Sequence, residues 1–165
     1  METYWHWLAD DRRLQWGTKE VVEVGKTLAV EFPYANPVDG VTYEKVTMCK
    51  AGFHASKNPI DALQYAPGAV ICCVTLGGTV IEGNDKVVAG ERTVLWMADA
   101  TSTLHEFACW CAEEALRTAK AEDARCWNAI ETKRKWLRGE ATDAELAAAG
   151  ASAWAAAGET PRIRA

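Results

Sequence analysis

The sequence predicts an α+β protein: a strand-rich first half with one short helix, followed by two or three helices packed on it. Three observations carry this. Ala69–Leu76 is an uncharged apolar run between Pro67-Gly68 and Gly77-Gly78, the pattern of a strand buried on both faces. Leu104, Phe107, Ala108, Cys111, Ala112, Ala115 and Leu116 recur at intervals of three and four, the period of an amphipathic helix. Thr142-Asp143-Ala144-Glu145 is a capping box that opens an alanine-rich helix. The change of character divides the chain into a strand-rich domain, residues 1–98, and a helical C-terminal extension, residues 99–165.

The central unit is Met48–Arg92. Cys49–Ser56 reads as a short strand, and Asn58-Pro59 starts a helix, with Asn58 able to cap and Pro59 placed where a missing N–H costs nothing. Asp61 suits the first turn, and Ile60, Leu63 and Tyr65 give an apolar face. Gly77-Gly78 is read as a turn after the buried strand. Thr79–Glu82, Lys86–Ala89 and Glu91–Met97 then follow as strands, the first two joined by a turn at Gly83-Asn84-Asp85.

Upstream, Tyr4–Leu8 sets Tyr4, Trp5, Trp7 and Leu8 around His6, and Asp10–Arg13 is a polar turn. Leu14-Gln15-Trp16 begins a strand or hairpin arm ending at Gly17. Val21, Val22 and Val24 favour a strand closed by Gly25, and Thr27–Phe32 alternates as another. Phe32–Gly40 is a loop, and Tyr43–Met48 resumes a strand. Downstream, Thr103 with Glu106 forms a second capping box. A second helix spans about Asp123 to Arg138, with Trp127, Ile130 and Leu137 on one side. The third, Asp143–Ala157, has only Leu146 and Trp154 as large anchors, and Gly158–Ala165 is a loose tail. Leu104, Phe107, Cys111 and Leu116 are expected to be buried against the sheet, and Trp110, outside that stripe, to be covered by the second helix.

Composition narrows the function. The chain has 165 residues, 49% of them apolar, enough for a real core. A net charge of −5 and a pI near 5.3 argue against direct nucleic-acid binding. The basic cluster Lys133-Arg134-Lys135 with Arg138 reads as the solvated side of a helix. Met1–Leu14 lacks an export signal, so the six cysteines are expected to be reduced and mostly buried. No C-x-x-C pair occurs, which argues against zinc, so no metal is expected. No apolar run reaches the roughly 20 residues that cross a membrane. These features together predict a soluble cytoplasmic protein.

Candidate chemistry is sparse. His54, in Gly52-Phe53-His54-Ala55-Ser56, ends a strand before a helix, a place where active sites occur, but a hydrogen-bonded histidine that shapes the turn is the preferred reading. His6 and His105 lie on unrelated segments. Ser56 reads as a helix cap rather than a nucleophile, since no G-x-S-x-G elbow is present. Asp85, Lys86, Glu91 and Arg92 surround Val87-Val88-Ala89, either as charges over a ligand cleft or, the preferred reading, as a solvated hairpin with cross-strand ion pairs.

The ordered series Gly52-Phe53-His54-Ala55-Ser56, Asn58-Pro59, Asp61-Ala62-Leu63, Tyr65 and Asp85-Lys86-Val87-Val88-Ala89 resembles an uncharacterised domain of phage and prophage proteins, from about Leu14 to Leu95. That resemblance implies a mobile-element origin and a host cytoplasm as the working compartment. Phe107–Glu113 and Trp136–Leu146 are similar to segments of predicted immunity-type proteins. Gly52–Ser56 with Ala62 and Tyr65 also resembles ADP-ribosyltransferases, which would make Glu91 the late acidic residue and NAD the cofactor. Two functions follow as expectations. The first is a non-enzymatic protein, without cofactor, that binds a host protein and inhibits a defence system, an anti-CRISPR protein being one form. Its binding residues would be Trp110, Trp127, Asp85, Lys86 and Arg92. The alternative is an NAD-using enzyme that modifies a host protein through His54, Tyr65 and Glu91.

Overall fold

The computed structural model describes residues 2–15 and 19–159. Trp16 and Gly17 of the expected hairpin arm, and the end of the expected tail beyond residue 159, lie outside the described residues. The chain divides into two compact units between Ala100 and Thr101.

The first unit is built on two long antiparallel strands, β6 (Val70–Glu82) and β7 (Val87–Asp99), thirteen residues each. Their turn is closed by Gly83 N–H donating to the Lys86 carbonyl at 2.8 Å. β1 (Tyr4–Leu8) lies along β6, with His6 opposite Cys72. β2 (Thr27–Ala29) and β5 (Phe53–Ala55) share the other edge of β7, with Leu28 opposite Arg92 and His54 opposite Val88. Ser56, just beyond β5, exchanges two backbone hydrogen bonds with Trp5, at 2.7 and 2.8 Å. The path β1–β6–β7–β5 is joined back to β1 by this bridge, while β2 pairs with β7 at the other end of the sheet. Tyr4, Leu8, Leu28, Ala55, Cys72, Val74, Val87 and Val94 fill the core. The small hairpin of β3 (Tyr34–Ala35) and β4 (Thr42–Tyr43) occupies the expected loop and the start of the strand after it. Asn58 caps α1 (Pro59–Leu63), accepting from Ile60 N–H at 2.8 Å.

Several local expectations change. Gly77-Gly78 does not turn the chain. β6 runs through it with a register shift between Gly77 and Val80, a bulge at which one strand carries an extra residue. Gly78 takes φ +65°, a left-handed conformation that favours glycine, whereas a Cβ on Gly77 would meet only the movable end of the exposed Glu91 side chain, at 2.9 Å. β7 likewise merges the two strands expected after Gly83. Val21 and Val24 form only isolated bridges, and Thr47–Lys50 turns, so β5 starts at Phe53 and not Cys49. Cys72, Cys73 and Cys109 are buried thiols, but Cys49 and Cys111 are exposed.

The second unit comprises α2 (Thr101–Thr118), α3 (Ala124–Leu137) and α4 (Asp143–Glu159). Asp123 caps α3, accepting from Arg125 N–H at 2.9 Å. Thr142 and Glu145 form the expected capping box, with Thr142 N–H donating to Glu145 at 2.7 Å and Glu145 N–H to Thr142 Oγ1 at 3.2 Å. Thr142→Ala should therefore cost about 1 kcal/mol, read as a lower melting temperature, while Ala148→Ser on the same helix should cost a few tenths.

The expected Thr103–Glu106 box does not form, because α2 already starts at Thr101. Glu106 instead meets Arg134 at 3.4 Å, and Glu113 meets the same guanidinium at 2.9 Å. These pairs, with His105 edge-on to Trp136 at 6.1 Å, turn the His105–Cys109–Glu113 side of α2 towards α3. The aliphatic stripe is consequently not the buried one: Cys109 is buried, whereas Phe107 and Cys111 are exposed. On α4 the buried residues are Ala149 and Ala156, and Trp154 is 82% exposed rather than an anchor. Small side chains let α4 approach α3 closely, which a large anchor would prevent. Among the described residues no helix is long and apolar enough to cross a membrane.

Candidate functional site

The first unit contains a cleft of about 1090 Å³. His6, His54, Tyr65, Lys86 and Arg92 line it, with Trp5, Trp7, Leu8, Leu14 and Phe53 as apolar wall. Strand pairing assembles these distant residues, since β7 carries Arg92 between β2 and β6 while β5 delivers Phe53 and His54 beside it.

Arg92 is the central feature. It is only 2% exposed, so it is no solvated hairpin charge, and among the described residues it forms no ion pair across the strands. Nη1 donates to the His54 carbonyl at 3.0 Å, and the guanidinium lies 5.1 Å from the centre of the Phe53 ring. Nε is buried without any hydrogen-bond partner. Burial pulls its pKa down to about 10, which leaves it charged at neutral pH.

Two histidines share the cleft with this cation. Phe53 and Ala55 pack in the core, so strand alternation sends His54 to the other side, where Nε2 accepts the Cys49 N–H at 3.1 Å. Burial, then Lys86 and Arg92, lower the His54 pKa to about 4. His6 is lowered well below the usual range by burial, by Arg92 and by His54. Both are therefore neutral at pH 7. The hydrogen bond to Nε2 places the His54 proton on Nδ1. Sequence reasoning set His6 apart as an unrelated segment. The alternation of Tyr4, His6 and Leu8 was the available signal that it shares a strand face with core residues.

At the cleft mouth Tyr65 donates to Asp85 at 2.5 Å, Gln64 donates to Asp85 at 3.1 Å, and Lys86 donates to the Tyr65 hydroxyl at 3.3 Å while covering its ring at 4.3 Å. The Tyr65 hydrogen bond holds the Asp85 carboxyl below its usual range. Asp85 thus positions Tyr65 without lining the cleft. Ser56 is buried on the cleft lining with its backbone paired to Trp5, and Asn58 rather than Ser56 caps α1. Glu91 is exposed beside Gly77 and lies outside the cleft. His54 and Tyr65 are brought together, but the acid that an ADP-ribosyltransferase arrangement requires does not join them. Among the described residues no three His, Cys, Asp or Glu side chains gather in a way that could hold a metal ion.

The second unit carries the other predicted residues. Trp127 is half-buried and donates to the Ala121 carbonyl at 2.9 Å. Trp110 is 54% exposed and not covered by α3. It stacks on Phe107 with ring centres 6.0 Å apart and planes 16° apart. The basic cluster is engaged locally, since Arg134 pairs with Glu113, Lys135 with Glu131 and Arg138 with Glu140, while Lys133 covers the Trp136 ring.

Fold and site together define an α+β protein whose first unit curls strands around a cationic cleft. Residues 20–106 match the family described as "Domain of unknown function (DUF7666)", and the chain belongs to that family. The match takes in β2 to β7 and the start of α2. No curated protein and no solved structure matches the chain.

Proposed function

We propose that this is a non-catalytic phage-type protein that binds and modulates a host protein in the host cytoplasm, an inhibitor of a defence system such as an anti-CRISPR protein being one form. The carrying observation is the exposed Phe107–Trp110 stack on α2. Tryptophan is the residue most enriched among contacts that dominate binding energy. A ring already held against its neighbour loses less side-chain freedom on docking. The net charge of −5 favours encounter with a basic partner surface.

Trp110→Ala separates this reading from a folding role. The melting temperature should move little, since the lost contact is a surface stack. Host proteins captured by the intact protein and identified by mass spectrometry should bind the variant about 30-fold or more weakly, a loss of about 2 kcal/mol. A melting point that falls as after a core truncation, or identified partners retained equally by both proteins, would overturn the assignment.

A further inference from the structure

We infer that the cleft of the first unit is a receptor for a small organic carboxylate, with Arg92 pairing with the carboxylate and the aromatic wall holding its apolar body. The inference is independent of partner binding by α2. A buried guanidinium is costly unless a negative charge meets it. Among the described residues none does: the acids on the cleft wall are otherwise engaged, Glu20 with Lys26 and Asp39 with Lys50, and Glu31 is exposed. Nη1 is spent on the His54 carbonyl, and Nε, on the other edge of the planar fork, is buried without a partner. That edge presents parallel N–H groups at the spacing of two carboxylate oxygens. The Phe53 ring lies 5.1 Å from the guanidinium, within reach of a cation–π contact.

Charge balance selects the kind of anion. Among the described residues Arg92 is the buried cation of the cleft, Lys86 at the mouth is held against the Tyr65 hydroxyl and ring, and both nearby histidines are neutral. A single negative charge neutralises it. A phosphate monoester dianion would bring an extra charge into a wall of Trp5, Trp7, Leu8 and Phe53, where an uncompensated charge is disfavoured. The volume of about 1090 Å³ is at the upper end of small-molecule sites, so the ligand has a body as well as a head group.

The test uses the full chain with acetate, benzoate and phenylacetate as probes, and phenyl phosphate and neutral benzamide as comparisons. The Nε–H resonance of Arg92, assigned by its disappearance in Arg92→Lys, is followed by NMR while melting temperatures are recorded in parallel. The aromatic carboxylates should move that resonance downfield and raise the melting temperature by about 4 °C at tenfold excess over Kd. Benzamide should do neither, and Arg92→Lys, which keeps the charge but loses the fork, should weaken benzoate about tenfold. The resonance can be followed in the unsubstituted protein, so the test survives if the variant folds poorly. An unmoved resonance with all three carboxylates would overturn the inference. So would tighter binding of phenyl phosphate than of benzoate.

Discussion

Gly52→Ala is expected to destabilise the first unit by about 3–5 kcal/mol, the combined cost of a strained backbone and an overpacked core. Gly52 has φ +134°, a conformation that side-chain-bearing residues rarely adopt. Space is as restrictive as torsion. A Cβ there would stand 2.5 Å from Val88 Cγ2, 2.9 Å from the Ala89 carbonyl oxygen and 3.3 Å from Val46 Cγ1. Val88 and Val46 are buried, and Ala89 is held in the ladder of β7, so none can retreat cheaply. Gly25→Ala is the matched control in the same unit: its φ is +83°, but nothing lies within 4 Å of the added Cβ. That change should cost only about 1–2 kcal/mol. Urea unfolding of both variants decides the matter, and equal costs would show that the close approach of the Gly52 segment to β7 is not tight. The consequence reaches the cleft, because Gly52 brings Phe53 and His54 against Arg92.

The helices and most of their caps were the most legible features, because they depend on residues within one turn; the Thr103–Glu106 box is the exception, since α2 begins two residues earlier. Asn58-Pro59, Asp123 and Thr142 with Glu145 act as their types predict. The short-range glycine signal misled at Gly77-Gly78, where the same residue type serves a bulge inside a long strand. A turn and a bulge both need small residues, and only the pairing partner distinguishes them. The burial of Arg92 was equally hidden. Its neighbours Glu91 and Thr93 are polar, so the local pattern suggests solvent, while its actual environment comes from Leu28, Leu76 and Phe53, far away in sequence. The face of α2 failed for a related reason: hydrophobicity nominated Phe107 and Cys111, but Arg134 selected the side carrying Glu106 and Glu113. Among the candidate residues, His54, Tyr65, Lys86 and Arg92 do share a cleft, a convergence that long-range pairing creates and spacing alone does not reveal.

Acidification should weaken the first unit well before its carboxylates titrate, by about 2 kcal/mol between pH 6.5 and 4 through His54. The folded protein holds His54 at about 4, below the ordinary 6.5, because burial, Lys86 and Arg92 all oppose its charged form. In that window the unfolded chain binds a proton that the folded one refuses, so stability falls as pH falls and levels off below about 4. The full shift corresponds to about 3 kcal/mol, reduced here because the ring keeps partial contact with water. His6, depressed by burial, Arg92 and His54, acts in the same direction. Asp39 and Asp85 have lowered values, so their contribution is present above 3.8 and lost only as pH falls through their still lower folded values. The two effects therefore occupy different pH ranges. His54→Gln preserves an acceptor for the Cys49 N–H while removing the titration. Its unfolding free energy should change less than that of the parent between pH 6.5 and 4.5, leaving the His6 share. An unaltered pH slope in His54→Gln would mean that His54 is as hydrated in the folded protein as in the unfolded chain, and that the cations facing it are screened by water entering the cleft.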